Sequence, residues 1–95
     1  MVDRTGSRAG PETARPVRVL AFAAVRDIVG APEIELEIPG RCAVGDLWPT
    51  LIARFPALEP HRPSVRLAVN GTYARDDDVV SPGDEVALIP PVAGG

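Results

Sequence analysis

Only one segment of the chain has the periodicity of an amphipathic helix long enough to cover a sheet. Val44, Leu47, Trp48, Leu51, Ile52 and Phe55 fall at i, i+3, i+4, i+7, i+8 and i+11. Pro49 lacks the backbone N–H that a helix interior needs, so the regular helix is expected to begin near Leu47, with Pro49 in its first turn. Pro56 ends it. A single covering helix restricts the rest of the chain to a sheet with one face packed and the other face open.

The remaining apolar residues follow a period of two. Val17 to Ala23 is expected to be a strand, with Val17, Val19, Ala21 and Ala23 on one face and Arg18, Leu20 and Phe22 on the other. Ala24 to Val29 has the pattern of a short helical turn, stopped by Gly30 and Ala31-Pro32. From Glu33 to Ile38 the alternation is strict: Ile34, Leu36 and Ile38 point inward and Glu33, Glu35 and Glu37 face water. The short connection favours antiparallel pairing of these two strands. Ala57 to Pro63 is expected to be a proline-rich loop. Val65 to Val69 is a strand closed by Asn70-Gly71, and Glu85 to Ile89 is the last strand, entered through the turn Ser81-Pro82-Gly83-Asp84. Asp76 to Asp78 is expected to form an acidic surface turn.

The resulting order is strand, strand, helix, strand, short strand or turn, strand. A mixed α+β sheet with one main helix on one face satisfies it, and the β-grasp or ubiquitin-like arrangement has this order, with the first and last strands parallel neighbours in the centre. The organisation expected is a disordered extension over residues 1–16, a β-grasp domain over 17–89 and a flexible reactive tail over 90–95.

Composition narrows the function. With two Phe, one Tyr and one Trp in 95 residues, the core is built mainly from Val, Leu, Ile and Ala. A net charge of −3 gives no electrostatic footprint for nucleic acid. No apolar run approaches the roughly 20 residues that cross a bilayer, and Met1 to Pro16 lacks the apolar segment of a secretory signal. The lone Cys42 excludes an internal disulfide, in keeping with a reducing, cytoplasmic setting. One Cys, one His and scattered carboxylates make no recognisable metal site, and no bound cofactor is expected.

The chemistry concentrates at the end of the chain. In Pro90-Pro91-Val92-Ala93-Gly94-Gly95 the only group able to react is the terminal carboxylate of Gly95. Without Cβ atoms, Gly94 and Gly95 can enter a cleft too narrow for other residues, and the two prolines favour an extended exit from the sheet. Six residues at about 3.3 Å each reach about 20 Å, enough to enter a partner's active site. A carboxylate is a poor electrophile. Adenylation by ATP on an activating partner gives it a good leaving group, which a sulfur donor can displace to leave a thiocarboxylate.

The segment Val19-Leu20-Ala21-Phe22-Ala23-Ala24-Val25-Arg26-Asp27-Ile28-Val29-Gly30 resembles the opening strand and Arg-Glu-Leu turn of the molybdopterin synthase sulfur-carrier (small) subunit. Ala68-Val69-Asn70-Gly71, Gly83-Asp84-Glu85-Val86 and the closing hexapeptide look like that family's later signatures. The resemblance covers residues 17–95. Asp27 stands where the family usually has Glu, and Pro49 within the helix is a second departure.

The resemblance implies a cycle: a ubiquitin-activating-like adenylyltransferase activates Gly95, and a sulfur donor protein loads it. The carrier, not catalytic alone, then docks on the large catalytic subunit of molybdopterin synthase, where two such sulfurs convert cyclic pyranopterin monophosphate into molybdopterin. Carriers for thiamine or cysteine biosynthesis share the fold and the Gly-Gly end. A ubiquitin-like modifier conjugated to lysines, or a non-catalytic interaction module, are alternatives of a different class.

A partner surface follows from period two. If Val17, Val19, Ala21, Leu67, Val69, Val86 and Leu88 face the helix, then Leu20, Phe22, Ala68, Ala87 and Ile89 lie on the opposite, uncovered face. Such a contiguous apolar patch marks a binding site. Tyr73 borders it and Arg26 anchors its edge, and by resemblance Phe22, Tyr73 and Ile89 match family contact positions. Pro90, Pro91, Val92 and Ala93 complete the expected partner-binding set. Cys42, His61 and the Asp76 to Asp78 run have readier structural roles than chemical ones. All ten basic residues are arginine, so the activated tail finds no lysine on its own chain; an arginine-biased composition is the readier explanation of this.

Overall fold

A computed structural model describes residues 15–91. The expected 1–16 extension therefore falls outside the described residues except for Arg15 and Pro16, and so do Val92, Ala93, Gly94 and Gly95 of the tail.

Strand β1 (Val17–Ala21) is followed by helix α1 (Ala23–Val29) and strand β2 (Glu33–Leu36). A two-residue strand β3 (Cys42–Ala43) and a 3-10 turn (Val44–Asp46) lead into helix α2 (Leu47–Arg54). A long 3-10 segment (Pro56–Ser64) connects to β4 (Arg66–Val69), β5 (Thr72–Ala74), β6 (Val79–Val80) and β7 (Glu85–Ile89).

Five strands form the main sheet in the order β2-β1-β7-β4-β5, and β3 pairs with β6 in a small second sheet. β1 and β7 are parallel, with Val19 beside Val86 and Ala21 beside Leu88. The other pairs are antiparallel: β1 with β2, β4 with β7, and β4 with β5. This is the β-grasp arrangement expected from the element order, first and last strands in the middle.

The expected core face is the observed one. Val17, Val19, Val86 and Leu88 have no solvent exposure, and Ala21 and Leu67 nearly none. They pack against Leu47, Trp48 and Leu51 of α2, all buried. Val69, also expected inward, is half-buried. Pro49 is the third residue of α2, within its first turn, where its missing N–H has no intrahelical acceptor to lose.

Several boundaries differ from expectation. β1 ends at Ala21, because Phe22 caps α1 and Ala23 turns the chain at a φ of 50°, exposed rather than inward. β2 stops at Leu36, although Ile38 stays buried. The proline-rich loop is a nine-residue 3-10 segment with Leu58 fully buried. Proline fixes φ near the 3-10 value, so the three prolines of this segment, Pro56, Pro60 and Pro63, favour this tighter winding instead of breaking order. β4 begins at Arg66, one residue later than expected.

The turns behave as their residues dictate. Asn70 and Gly71 both take positive φ (51° and 86°), the geometry of a type I′ hairpin turn between β4 and β5. The Asn70 side-chain oxygen accepts from the Glu85 amide at 3.0 Å, which ties this turn to β7. In the acidic turn, the Asp76 and Asp78 carbonyls accept from Gly45 and Val44, so the turn holds the entry to α2.

Candidate functional site

No helix of the described residues lies over the second face of the five-stranded sheet in the way that α2 covers the first. Register fixes what this open face displays. Leu20 lies beside Ala87, Ala87 beside Ala68, and Ala68 beside Tyr73, so one row crosses four strands. Phe22, just past the end of β1, and Ile89, at the end of β7, extend the apolar strip toward the point where the chain leaves the sheet.

Two of its members are large and strongly exposed: Phe22 at 47% and Tyr73 at 60%. Exposed aromatic side chains of this size are characteristic of interaction surfaces. Between them is a shallow depression of about 260 Å³ lined by Phe22, Ala68, Gly71, Tyr73, Ala87 and Ile89, with Glu85 at its edge. Ala68, expected to be part of the exposed patch, is 6% exposed. Its single methyl is too short to rise above its neighbours, so it forms the floor and they form the walls.

The structure thus brings Phe22, Tyr73 and Ile89 together. Arg26 lies one helical turn beyond Phe22 on α1, its amide donating to the Phe22 carbonyl at 3.2 Å; it is exposed and does not line the depression. Pro90 is half-buried and Pro91 exposed as the chain leaves β7. Because β7 is the central strand, the tail departs from the middle of the sheet edge and not from a corner.

Charged residues frame the strip. Arg18 Nη2 sits 3.2 Å from Glu85 and Nη1 4.0 Å from Glu33, a surface triad on the flank away from the exit. At the exit end, the Arg66 guanidinium lies over the Tyr73 ring, 4.5 Å from its centroid. Arg66 was not among the expected site residues. Counting back by two from Ala68 puts it on the same face, so the signal was present, but an isolated arginine beside a strand reads as solvated surface.

Other reactive candidates lie elsewhere. Cys42 pairs with Val80 in the small sheet, outside the five-stranded sheet. Burial, and secondarily the nearby Asp46 carboxylate, pushes its thiol above the usual range, which disfavours the thiolate that sulfur chemistry needs. His61 belongs to the 3-10 segment, where its carbonyl accepts from Ser64 and Val65. Among the described residues, no group of three His, Cys, Asp or Glu side chains is placed to hold a metal ion. None of the described helices is long and apolar enough to cross a membrane.

Comparison with known proteins agrees with this fold. The model of the ThiS family matches residues 19–95. A molybdopterin synthase sulfur carrier subunit of Arabidopsis thaliana is 38% identical over 79 residues, covering 83% of this chain and 82% of the relative. One from Mycobacterium tuberculosis is 42% identical over 80 residues, covering 83% of this chain and 96% of the relative. Among solved structures, small archaeal modifier protein 1 from Haloferax volcanii superposes with a TM-score of 0.74 at 29% identity, covering 84% of this chain and 99% of that one. The β-grasp sheet, the Gly-Gly end and these matches over most of its length lead to one conclusion: the chain belongs to the ThiS family, among relatives that are sulfur carrier subunits of molybdopterin synthase.

Proposed function

We propose that the protein is a sulfur carrier for molybdenum cofactor biosynthesis, the small subunit of a molybdopterin synthase, with the Gly95 carboxylate as its reactive group. The observation that carries this reading is positional. The central strand β7 runs directly into the Pro-Pro-Val-Ala-Gly-Gly tail, and an open apolar face surrounds the point of exit. A partner gripping that face holds the start of the tail in a fixed place. Six further residues then reach about 20 Å into its active site.

In this reading the activating partner binds ATP, and a Gly95 carboxylate oxygen attacks the α-phosphate and releases pyrophosphate. A sulfur donor displaces AMP and leaves a thiocarboxylate. The same face then docks on the large catalytic subunit, where the thiocarboxylate delivers sulfur to cyclic pyranopterin monophosphate. The carrier contributes reach, a slender end and a grip. Chemistry of this kind depends on placing the nucleophile within reaction distance, which docking converts from a bimolecular to an effectively unimolecular problem.

Reconstitution tests it. Thiocarboxylated protein incubated with the large subunit and cyclic pyranopterin monophosphate should yield molybdopterin, whereas the carboxylate form should not. Absence of product from the thiocarboxylated form counts against the assignment.

A second reading is favoured by the likeness to small archaeal modifier protein 1: the activated Gly95 forms isopeptide bonds with lysines of other proteins. Mass-shifted conjugates in cells that express a tagged chain, lost when Gly95 is deleted, would support it.

A further inference from the structure

The open face carries two arginines on its strands, and their surroundings differ. Arg18 is neutralised within the molecule by Glu85 and Glu33. Arg66 starts β4 directly opposite Ile89, the last residue of β7, so it stands where the tail leaves the sheet. Among the described residues the ion pairs are those of Arg18, and Arg66 has no carboxylate partner. Its guanidinium instead rests on the Tyr73 ring at 4.5 Å.

That pose has a chemical consequence. The ring quadrupole attracts the cation and supplies no conventional hydrogen-bond acceptor, so the N–H donors of the fork stay available. The contact therefore localises the cation at the exit end without consuming its hydrogen-bonding capacity. A fork held this way matches a carboxylate, which it can bind through two parallel hydrogen bonds.

Apolar contacts alone do not set direction. The strip from Leu20 to Tyr73 is nearly uniform in chemistry, and a partner gripping it could sit in more than one register. One localised cation at the exit end breaks that degeneracy. The flank away from the exit carries Glu33, Glu35 and Glu85, which would repel an extended polyanion. The chain as a whole is acidic, at −3. A single acidic side chain fits this layout; a phosphate backbone does not.

We propose that Arg66, localised by Tyr73, is the ionic anchor that sets the register of the tail-accepting partner, binding an Asp or Glu side chain on the rim of the cleft that receives the tail. The inference rests on the sulfur-carrier reading, because it requires a partner that accepts residues 90–95. Arg66 acts as a positioning residue: it touches the partner, and the reacting carboxylate lies a tail's length away.

The test is binding kinetics with the purified large subunit of molybdopterin synthase from the source organism, at low and high salt. Arg66→Gln keeps an unbranched polar stem and removes the charged fork. It should melt with the unsubstituted protein and weaken binding about tenfold, mainly through slower association, with a flatter salt dependence. Arg66→Glu should lose more. In a Tyr73→Leu background, the effect of Arg66→Gln should shrink to less than about threefold, since the platform is already gone. If Arg66→Gln associates at the unsubstituted rate with the same salt dependence, the anchor is refuted while the carrier reading stands. A full tenfold effect in the Leu background refutes localisation by the ring. If the unsubstituted chain fails to bind the large subunit at all, the carrier reading falls and the anchor with it.

Discussion

Replacing Phe22 by aspartate should separate docking from folding, and the structure sets the size of each effect. The Phe22 side chain is 47% exposed, so of roughly 200 Å² about 100 Å² is available for a partner to cover. At about 25 cal/mol per Å², its loss removes about 2.5 kcal/mol of docking energy, or 50- to 100-fold in affinity, before the cost of burying a carboxylate is counted. The other half already packs against the protein, which sets an upper bound of about 2.5 kcal/mol on the folding cost. Part of that is returned. Phe22 is the N-cap of α1, with extended backbone (φ −130°, ψ 150°) and no side-chain cap. Aspartate is among the preferred residues there and contributes about 1 kcal/mol. The net folding loss is about 1.5 kcal/mol, a fall in melting temperature of about 6–12 °C for a domain of this size. The single, buried Trp48 reports the melt by fluorescence, and titration against the large subunit reports docking. A Phe22→Asp protein that melts as expected yet binds normally would refute the docking face. One that fails to fold would show that the two faces of the sheet were assigned the wrong way round.

Leu88→Ala, on the opposite face of the adjacent central strand and fully buried, should cost about 2–5 kcal/mol in denaturant unfolding, with an intact open face wherever it remains folded. Gly83→Ala should destabilise by about 1 kcal/mol, because φ is +91°; the Arg15 guanidinium that a Cβ would meet is the far end of a flexible, exposed side chain and moves aside, so an Arg15→Ala background should leave the loss unchanged. For Cys42, burial raises the folded thiol pKa above the unfolded value of about 8.5. The stability contribution of the neutral thiol is therefore fully present below about pH 8.5 and is lost as pH rises through the folded pKa. Alkylation at neutral pH should accordingly be slower than for a free cysteine, and equal rates would contradict the burial argument.

The parts of the fold that follow from period were readable in advance. Ile34 and Leu36 against Glu33 and Glu35 set the faces of β2, and Val17, Val19, Val86 and Leu88 set the core face of the centre. Asn70-Gly71 fixed a hairpin whose type follows from two positive φ values. What escaped is what has no period. β3 and β6 are two residues each, too short to alternate. The 3-10 segment Pro56–Ser64 was hidden by its prolines, which signal a loop in a pattern search but suit this tighter helix. Ala23 left its strand because a positive φ on a non-glycine residue is set by tertiary context.

The site divides along the same line. Phe22 and Ile89 were placed on the open face by counting residues and Tyr73 at its border, and the three line one depression there. The depth of Ala68 and the stacking of Arg66 on Tyr73 depend on side-chain heights and rotamers across three strands, which no one-dimensional pattern encodes. The proposal that Gly95 is the reactive end comes from chemistry and family membership together: a terminal Gly-Gly has meaning only when something delivers it.

Intact mass of the protein after incubation with an adenylating partner, ATP and a sulfur source tests that delivery most directly. A covalently loaded end gains about 16 Da, one oxygen exchanged for sulfur, and deletion of Gly95 abolishes the gain. An unchanged mass for the full chain, under conditions in which a known carrier is loaded, would contradict the account.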